Sequence, residues 1–105
     1  MARYDLKRTP THPGEILKEE FLSPLGVTQV ELAKALKTSF RTINEILNEK
    51  RSISPGMALR LARYFGTTPD VWIGLQADYD LYWAKMKSKK LIDEIKPHQG
   101  NGRRK

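Results

Sequence analysis

TQVELAKALKTSFRTINEILNEKRSIS, residues 28–54, holds two short amphipathic patterns separated by Lys37-Thr38-Ser39. Thr28 stands three residues before Glu31, the spacing of a capping box in which each side chain satisfies an unpaired backbone N–H near the other. A helix therefore starts at Thr28. Its inner face is Leu32, Ala33 and Leu36, and it ends at Leu36 or Lys37. Ser39 is the natural N-cap of the next helix, its hydroxyl placed to reach the free N–H groups of the first turn. Ile43, Ile46 and Leu47 fall at i, i+3 and i+4 and share the buried face. At about 100° per residue, Arg41, Glu45 and Asn48 point away from that face, with Asn44 flanking them and Phe40 at the leading end. Lys37 is the departure. The break favours a left-handed residue, and a side chain there costs roughly 1 kcal/mol.

Outward from this pair, three more helical patterns and no strand pattern are present. Pro13 suits a helix start, Ile16, Leu17, Phe21 and Leu22 form its apolar stripe, and Ser23-Pro24 reads as its stop. Leu25-Gly26-Val27 is the connecting loop. Ser54-Pro55 opens a fourth helix, in which Met57, Ala58, Leu61, Ala62 and Phe65 repeat at helical spacing until Gly66. Thr68-Pro69 opens a fifth, expected to reach about Lys90 and to be roughly 33 Å long. Trp72 and Leu75 belong to the core. Tyr79, Tyr82, Trp83 and Met86 lie beyond the expected reach of the first four helices, which assigns them to a homodimer or partner contact. The expected fold class is all-α, a compact five-helix domain with an extended C-terminal helix. Residues 1–12 read as a flexible arm without a period, 13–90 as the helical domain with a dimerising last helix, and 91–105 as a basic, disordered tail.

Composition sets the outer limits. The chain has 105 residues, 39% of them hydrophobic, enough for one modest core. It has no cysteine, which removes disulfides, thiolate nucleophiles and sulfur-based zinc sites. Arg3, Asp5, Lys7 and Arg8 interrupt the start, and no apolar run is long enough to span a bilayer. A cytoplasmic protein without a membrane association is expected. The net charge is +7, but residues 1–84 carry 11 basic and 10 acidic side chains. The excess sits in residues 85–105, where Lys85, Lys87, Lys89, Lys90, Lys96, Arg103, Arg104 and Lys105 oppose only Asp93 and Glu94. Charge is thus mostly a property of a solvated tail. The case for nucleic acid must rest on local geometry.

That geometry is a helix, a tight break and a second helix with an outward polar face, which matches the helix-turn-helix plan. A plain helical hairpin shares part of the pattern. Arg41 has the planar fork suited to guanine O6 and N7, while Asn44 and Asn48 suit adenine or phosphate. Thr28 and Gln29 lie at a helix N-terminus that favours a phosphate oxygen. Ser39 and Thr42 are placed alike, and Lys50 and Arg51 can pair with the DNA backbone. Phe40 can touch a thymine methyl or staple the helix start. Glu45 would be repelled by phosphates unless it reads cytosine or pairs with Arg41 one turn earlier, and the intramolecular pair is the expected arrangement.

Three segments carry a family resemblance: HPGEILKEEFL (His12 to Leu22), GVTQVELAKAL, and RTINEILNEKRSISPGMALRLARYFGTTPDVWIGLQADYDL, ending at Leu81. With them the chain resembles helix-turn-helix proteins of the xenobiotic-response-element type, and among these the HigA (VapI) antitoxins of bacterial toxin–antitoxin modules. The resemblance implies a lambda-repressor-like fold and a repressor of its own operon that binds palindromic double-stranded operator DNA. It also implies a cognate HigB-like toxin, an endoribonuclease of the RelE-like class. The surface left exposed beside the dimer contact, with the arm at residues 1–12, is the expected place for it. Stand-alone repression without a toxin is the alternative. An enzyme is not expected: the two histidines, His12 and His98, lie far apart in sequence, and Gly14, Gly26, Gly56 and Gly66 are isolated. His12, beside Pro13, suits a role at the start of a helix. No metal site and no cofactor are expected, and a protein-only adaptor is disfavoured by the outward Arg41, Asn44 and Lys50.

Overall fold

The computed structural model describes residues 9–98. Expectations for residues 1–8 of the arm and 99–105 of the tail lie outside the described residues. The first helix, α1 (13–25), is continuous but not uniform. It joins an α-helical turn Pro13–Ile16, a π-helical segment Leu17–Leu22 and a closing α-helical turn Ser23–Leu25. The expected stop at Ser23-Pro24 is therefore displaced to Gly26, which ends the helix at φ 67°. The π register supplies the reason. Ser23 N–H donates to the Lys18 carbonyl five residues back, and this wider turn takes up a proline that lacks an N–H and would crowd an α-helical carbonyl. Val27 N–H then reaches the Leu22 carbonyl at 3.0 Å and closes the end as a Schellman motif.

Four more helices follow: α2 Gln29–Leu36, α3 Phe40–Leu47, α4 Pro55–Phe65 and α5 Pro69–Glu94. No strand occurs among the described residues, and no helix among them is long and apolar enough to cross a membrane. Thr28, Ser39 and Ser54 are N-caps whose side chains accept from the N–H groups of Glu31, Thr42 and Met57. The periodic residues named from sequence on α2, α3 and α4 form one core, with Leu32, Ile43 and Leu61 fully buried. Trp72 of α5 is also fully buried. Phe21 tilts against both Phe65 and Trp72, with ring centroids 4.9 and 5.1 Å apart, and Trp72 Nε1 donates to Thr67 Oγ1 at 2.9 Å. Gln76 is a buried polar residue that sequence reading missed. Its Oε1 accepts from Ile53 N–H and its Nε2 donates to Asp80, each at 2.9 Å, so it ties the α3–α4 connection to α5.

The start of α1 is the tightest junction. Gly14 sits so close to the end of α3 that a Cβ built on it would overlap the Ile46 carbonyl oxygen. His12, the N-cap, is buried; its Nδ1 accepts from Gly14 N–H at 2.8 Å, and its ring meets Tyr79 edge-on at 4.8 Å. Tyr79 is therefore not beyond the first four helices, as expected from sequence, but is packed on the start of α1. Burial lowers the His12 pKa from its ordinary 6.5, partly opposed by the carboxylates of Glu49 and Asp80.

Past Gln76 no described residue of α5 is fully buried, yet the helix continues to Glu94, four residues beyond the expected boundary, with non-helical angles at Ser88. This projection makes one principal dimension 55 Å against 26 and 24 Å.

Two stability predictions follow from the α1 junction. Gly14→Ala should lower the urea-unfolding free energy by roughly 1–3 kcal/mol, because backbone must move to admit the methyl group. Gly56→Ala on α4, whose Cβ would meet only Ser54 Oγ at an unstrained 4.0 Å, should be neutral or gain up to about 1 kcal/mol. For His12, the folded pKa lies below the unfolded one, so the stabilisation is complete above 6.5 and is lost as pH falls through the lowered value. The melting temperature of the wild type should therefore drop between pH 7 and 5. In His12→Asn, which retains a capping oxygen but does not titrate, that dependence should flatten.

Candidate nucleic-acid interface

The polar surface of α2 and α3 is built from their ends inward. Lys37 closes α2 in the left-handed conformation, φ 59°, as its position in the break required. Thr38 N–H reaches the Ala33 carbonyl at 3.0 Å, and Arg60 Nη1 of α4 donates to the Lys37 carbonyl at 3.2 Å. The turn is thereby held from two sides. At the other end of α3 lies a second non-glycine residue with positive φ, Glu49 at 62°, which the sequence did not signal. Lys50 N–H bonds the Glu45 carbonyl at 2.8 Å. This reversal brings Arg51 back alongside α3.

The expected site residues separate into those held by the protein and those left free. Thr28 is committed to the capping box: its Oγ1 accepts from Glu31 N–H at 3.1 Å, while its own N–H donates to Glu31 Oε1 at 2.9 Å. Ser39 Oγ accepts from Thr42 N–H at 3.0 Å and lies 2.9 Å from Thr42 Oγ1. Gln29, Asn44 and Asn48 form a chain across the two helices. Asn48 Nδ2 donates to Asn44 Oδ1 at 3.1 Å, and Asn44 Nδ2 donates to Gln29 Oε1 at 3.0 Å. Asn44 is thus half-buried and positioned by α2 rather than merely flanking. Phe40, half exposed at the first position of α3, does not join the core.

Arg41 projects from this face, its side chain 84% exposed. The expected pair with Glu45 is present, Nε to Oε2 at 2.9 Å. What sequence reading missed is the second arginine: Arg51 donates to Glu45 Oε1 from Nε at 2.9 Å and lies 2.7 Å from it through Nη2. The hydrogen bonds from Arg41 and Arg51 hold the Glu45 carboxyl below its usual pKa. Lys50 is exposed beside them. The surface therefore offers one outward guanidinium, a fixed row of amides and a flanking ammonium, the kinds of donor that base edges and phosphates take.

The expected dimer residues divide in the same way. Tyr79 lies against His12, and half-buried Tyr82 accepts from Thr9 Oγ1 at 3.3 Å. Trp83 and Met86 are exposed by 46% and 60%, and they continue into exposed Leu91, Ile92 and Ile95. Those last three escaped sequence reading because the helix was expected to end at about Lys90. Among the described residues no group of three His, Asp or Glu side chains is placed to hold a metal ion.

Residues 17–72 match the family described as Helix-turn-helix. Virulence-associated protein I of Dichelobacter nodosus is 49% identical over 86 residues, covering 82% of this chain and 79% of the relative. Antitoxin HigA-1 of Vibrio cholerae is 34% identical over 91 residues, covering 87% and 86%. The solved structure of the Pseudomonas aeruginosa antitoxin HigA with the higBA promoter superposes with a TM-score of 0.80 at 47% identity, over 84% of this chain and 97% of that one. With its capped α2–α3 pair, its five-helix order and these relatives, the chain belongs to the helix-turn-helix family, in the branch of the HigA antitoxins and virulence-associated protein I.

Proposed function

We propose that this chain is an antitoxin and operon autorepressor, which reads palindromic operator DNA through α3 and neutralises a RelE-like endoribonuclease toxin of the HigB kind. The observation that carries the DNA half is Arg41, projecting from a recognition helix whose other polar side chains are held in a row by α2. The relative of the same fold solved with its promoter supports the same half. In this reading Arg41 takes guanine, Asn44 and Asn48 face the groove, and Phe40 lies at the DNA end of α3. Thr28, Gln29, Ser39, Thr42 and Lys50 meet the phosphate backbone, Arg51 lies beside it on Glu45, and Glu45 keeps both arginines in place. The toxin half rests on the HigA branch alone. Co-purification with the product of the adjacent reading frame separates an antitoxin from a stand-alone repressor.

Two recognition helices about 34 Å apart read a palindrome with more discrimination than one. The outer half of α5, with Trp83 and Met86 bare and Leu91 and Ile92 following, is the surface that would join two copies. In this reading Tyr79 and Tyr82 support the contact from the domain side.

Arg41→Ala should lose roughly 1–3 kcal/mol of operator affinity and relax specificity at one base pair, whereas Lys50→Ala should weaken all duplexes alike and reduce the salt slope by about one unit. Binding to operator and scrambled duplexes at several salt concentrations checks both, and unchanged operator binding by Arg41→Ala would refute the groove assignment. Trp83→Asp should sediment as a monomer with unchanged helical circular dichroism. A Trp83→Asp dimer would place the twofold contact elsewhere.

A further inference from the structure

The arginine pair around Glu45 is oriented against the needs of its own helix. An i,i+4 ion pair supports a helix best with the carboxylate N-terminal to the cation, and a helix C-terminus disfavours negative charge. Here Arg41 comes first and Glu45 sits in the last turn of α3, Phe40–Leu47. Helix stability does not explain the arrangement.

Its geometry has a different consequence. Both Glu45 oxygens are engaged, Oε2 by Arg41 Nε and Oε1 by Arg51 Nε and Nη2. The three side chains together carry one net positive charge instead of two. Arg41 bonds Glu45 through Nε and its side chain is 84% exposed, so its terminal Nη1 and Nη2 remain available for a bidentate acceptor such as guanine O6 and N7. Arg51 reaches Glu45 only because Glu49 turns the chain back at φ 62°. Lys50, one residue before it, takes part in no ion pair among the described residues. The carboxylate restrains the two guanidiniums and leaves the ammonium alone.

We propose that Glu45 is the specificity-determining residue of this surface, aiming Arg41 at a base edge while denying both arginines to the phosphates of arbitrary DNA. This rests on the reading of α3 as the DNA-facing helix. On a wrong duplex, where Arg41 finds no base edge, a phosphate that approaches Arg41 or Arg51 also approaches the carboxylate and is repelled by it. On the right half-site, Arg41 makes its end-on contact without leaving Glu45, and Arg51 continues to neutralise the carboxylate. Glu45 therefore weakens wrong complexes more than the right one, and acts on the base contact through Arg41 as a positioning residue.

The test uses a duplex that the wild-type full chain enriches from a randomised pool, beside a scrambled duplex of equal composition. Glu45→Gln keeps the side-chain shape and removes the charge. It should bind the scrambled duplex about tenfold more tightly, with a salt slope steeper by about one unit. Its affinity for the enriched duplex should rise by less than that for the scrambled one, because lost repulsion is offset by lost aiming of Arg41, so discrimination falls and motifs selected by Glu45→Gln should carry less sequence information. Glu45→Asp, which retains the charge, should keep near-wild-type rejection of scrambled DNA. Matching circular dichroism melts exclude a folding effect. Unchanged discrimination by Glu45→Gln overturns the proposal. So does loss of the enriched duplex with scrambled binding unchanged, since Glu45 would then contact a base itself. If the wild type enriches no sequence, the reading of α3 fails and this inference fails with it.

Discussion

The junction between Gly14 and the Ile46 carbonyl is the constraint on which the other helices depend. A backbone-to-backbone approach admits no side chain and allows little adjustment, so the start of α1 and the end of α3 are fixed together. His12 adds direction to that contact: one nitrogen caps α1 through Gly14 N–H, and the ring leans on Tyr79 of α5. One short segment thus relates the first helix, α3 and the last helix. Gln76 makes the matching tie from the other side by bonding Ile53 N–H in the α3–α4 connection. The outer face of α3 is consequently positioned by buried contacts at its C-terminal end and by the Lys37 turn at its start.

Most of the local structure could be read from the residues because it is chemically local. A capping box needs only Thr28 and Glu31 three apart, and Ser39 and Ser54 act within their own first turns. The buried stripe of α3 follows from period alone. The features that escaped reading depend on distant neighbours or on weak local signals. Gly14 is one of several isolated glycines until Ile46 lies against it. Pro24 is a reasonable helix stop unless the preceding turn has already widened to a π register, which no residue type in Leu17–Leu22 announces. Glu49 carries no turn signature, yet the chain reverses there. Gln76 looks like a solvent residue on an amphipathic helix and is buried because a loop N–H needs an acceptor.

The candidate site was legible as a list of residues and illegible as an arrangement. Arg41 opposite Ile43, Ile46 and Leu47 is a matter of helical rotation, and its pair with Glu45 a matter of spacing. That Asn44 would be tied to Gln29 across the helix crossing requires knowing how α2 and α3 meet. That Arg51 would close on the same carboxylate requires the Glu49 turn. The arrangement matters because it commits side chains before any ligand arrives: amides held in a row lose little further freedom on contact, whereas free ones would have to be ordered.

The two non-glycine left-handed residues bear on the same point. Lys37 and Glu49 bracket α3, and each adopts a conformation costing about 1–2 kcal/mol, a substantial fraction of the stability of a small domain. The strain ends α3 sharply at both sides, so that Ser39 can cap its start and Arg51 can fold back over its end. A glycine at either place would relieve the conformation but would widen the choices open to the unfolded chain and to the turn. With its ends closed and its inner face packed, a two-turn helix that would be marginal alone becomes a rigid bearer of Arg41. Rigidity at α3 contrasts with α5, whose last buried residue is Gln76 and whose described residues beyond Tyr82 are mostly exposed. The molecule thus concentrates its internal contacts behind α3 and leaves Trp83, Met86, Leu91 and Ile92 of α5 exposed.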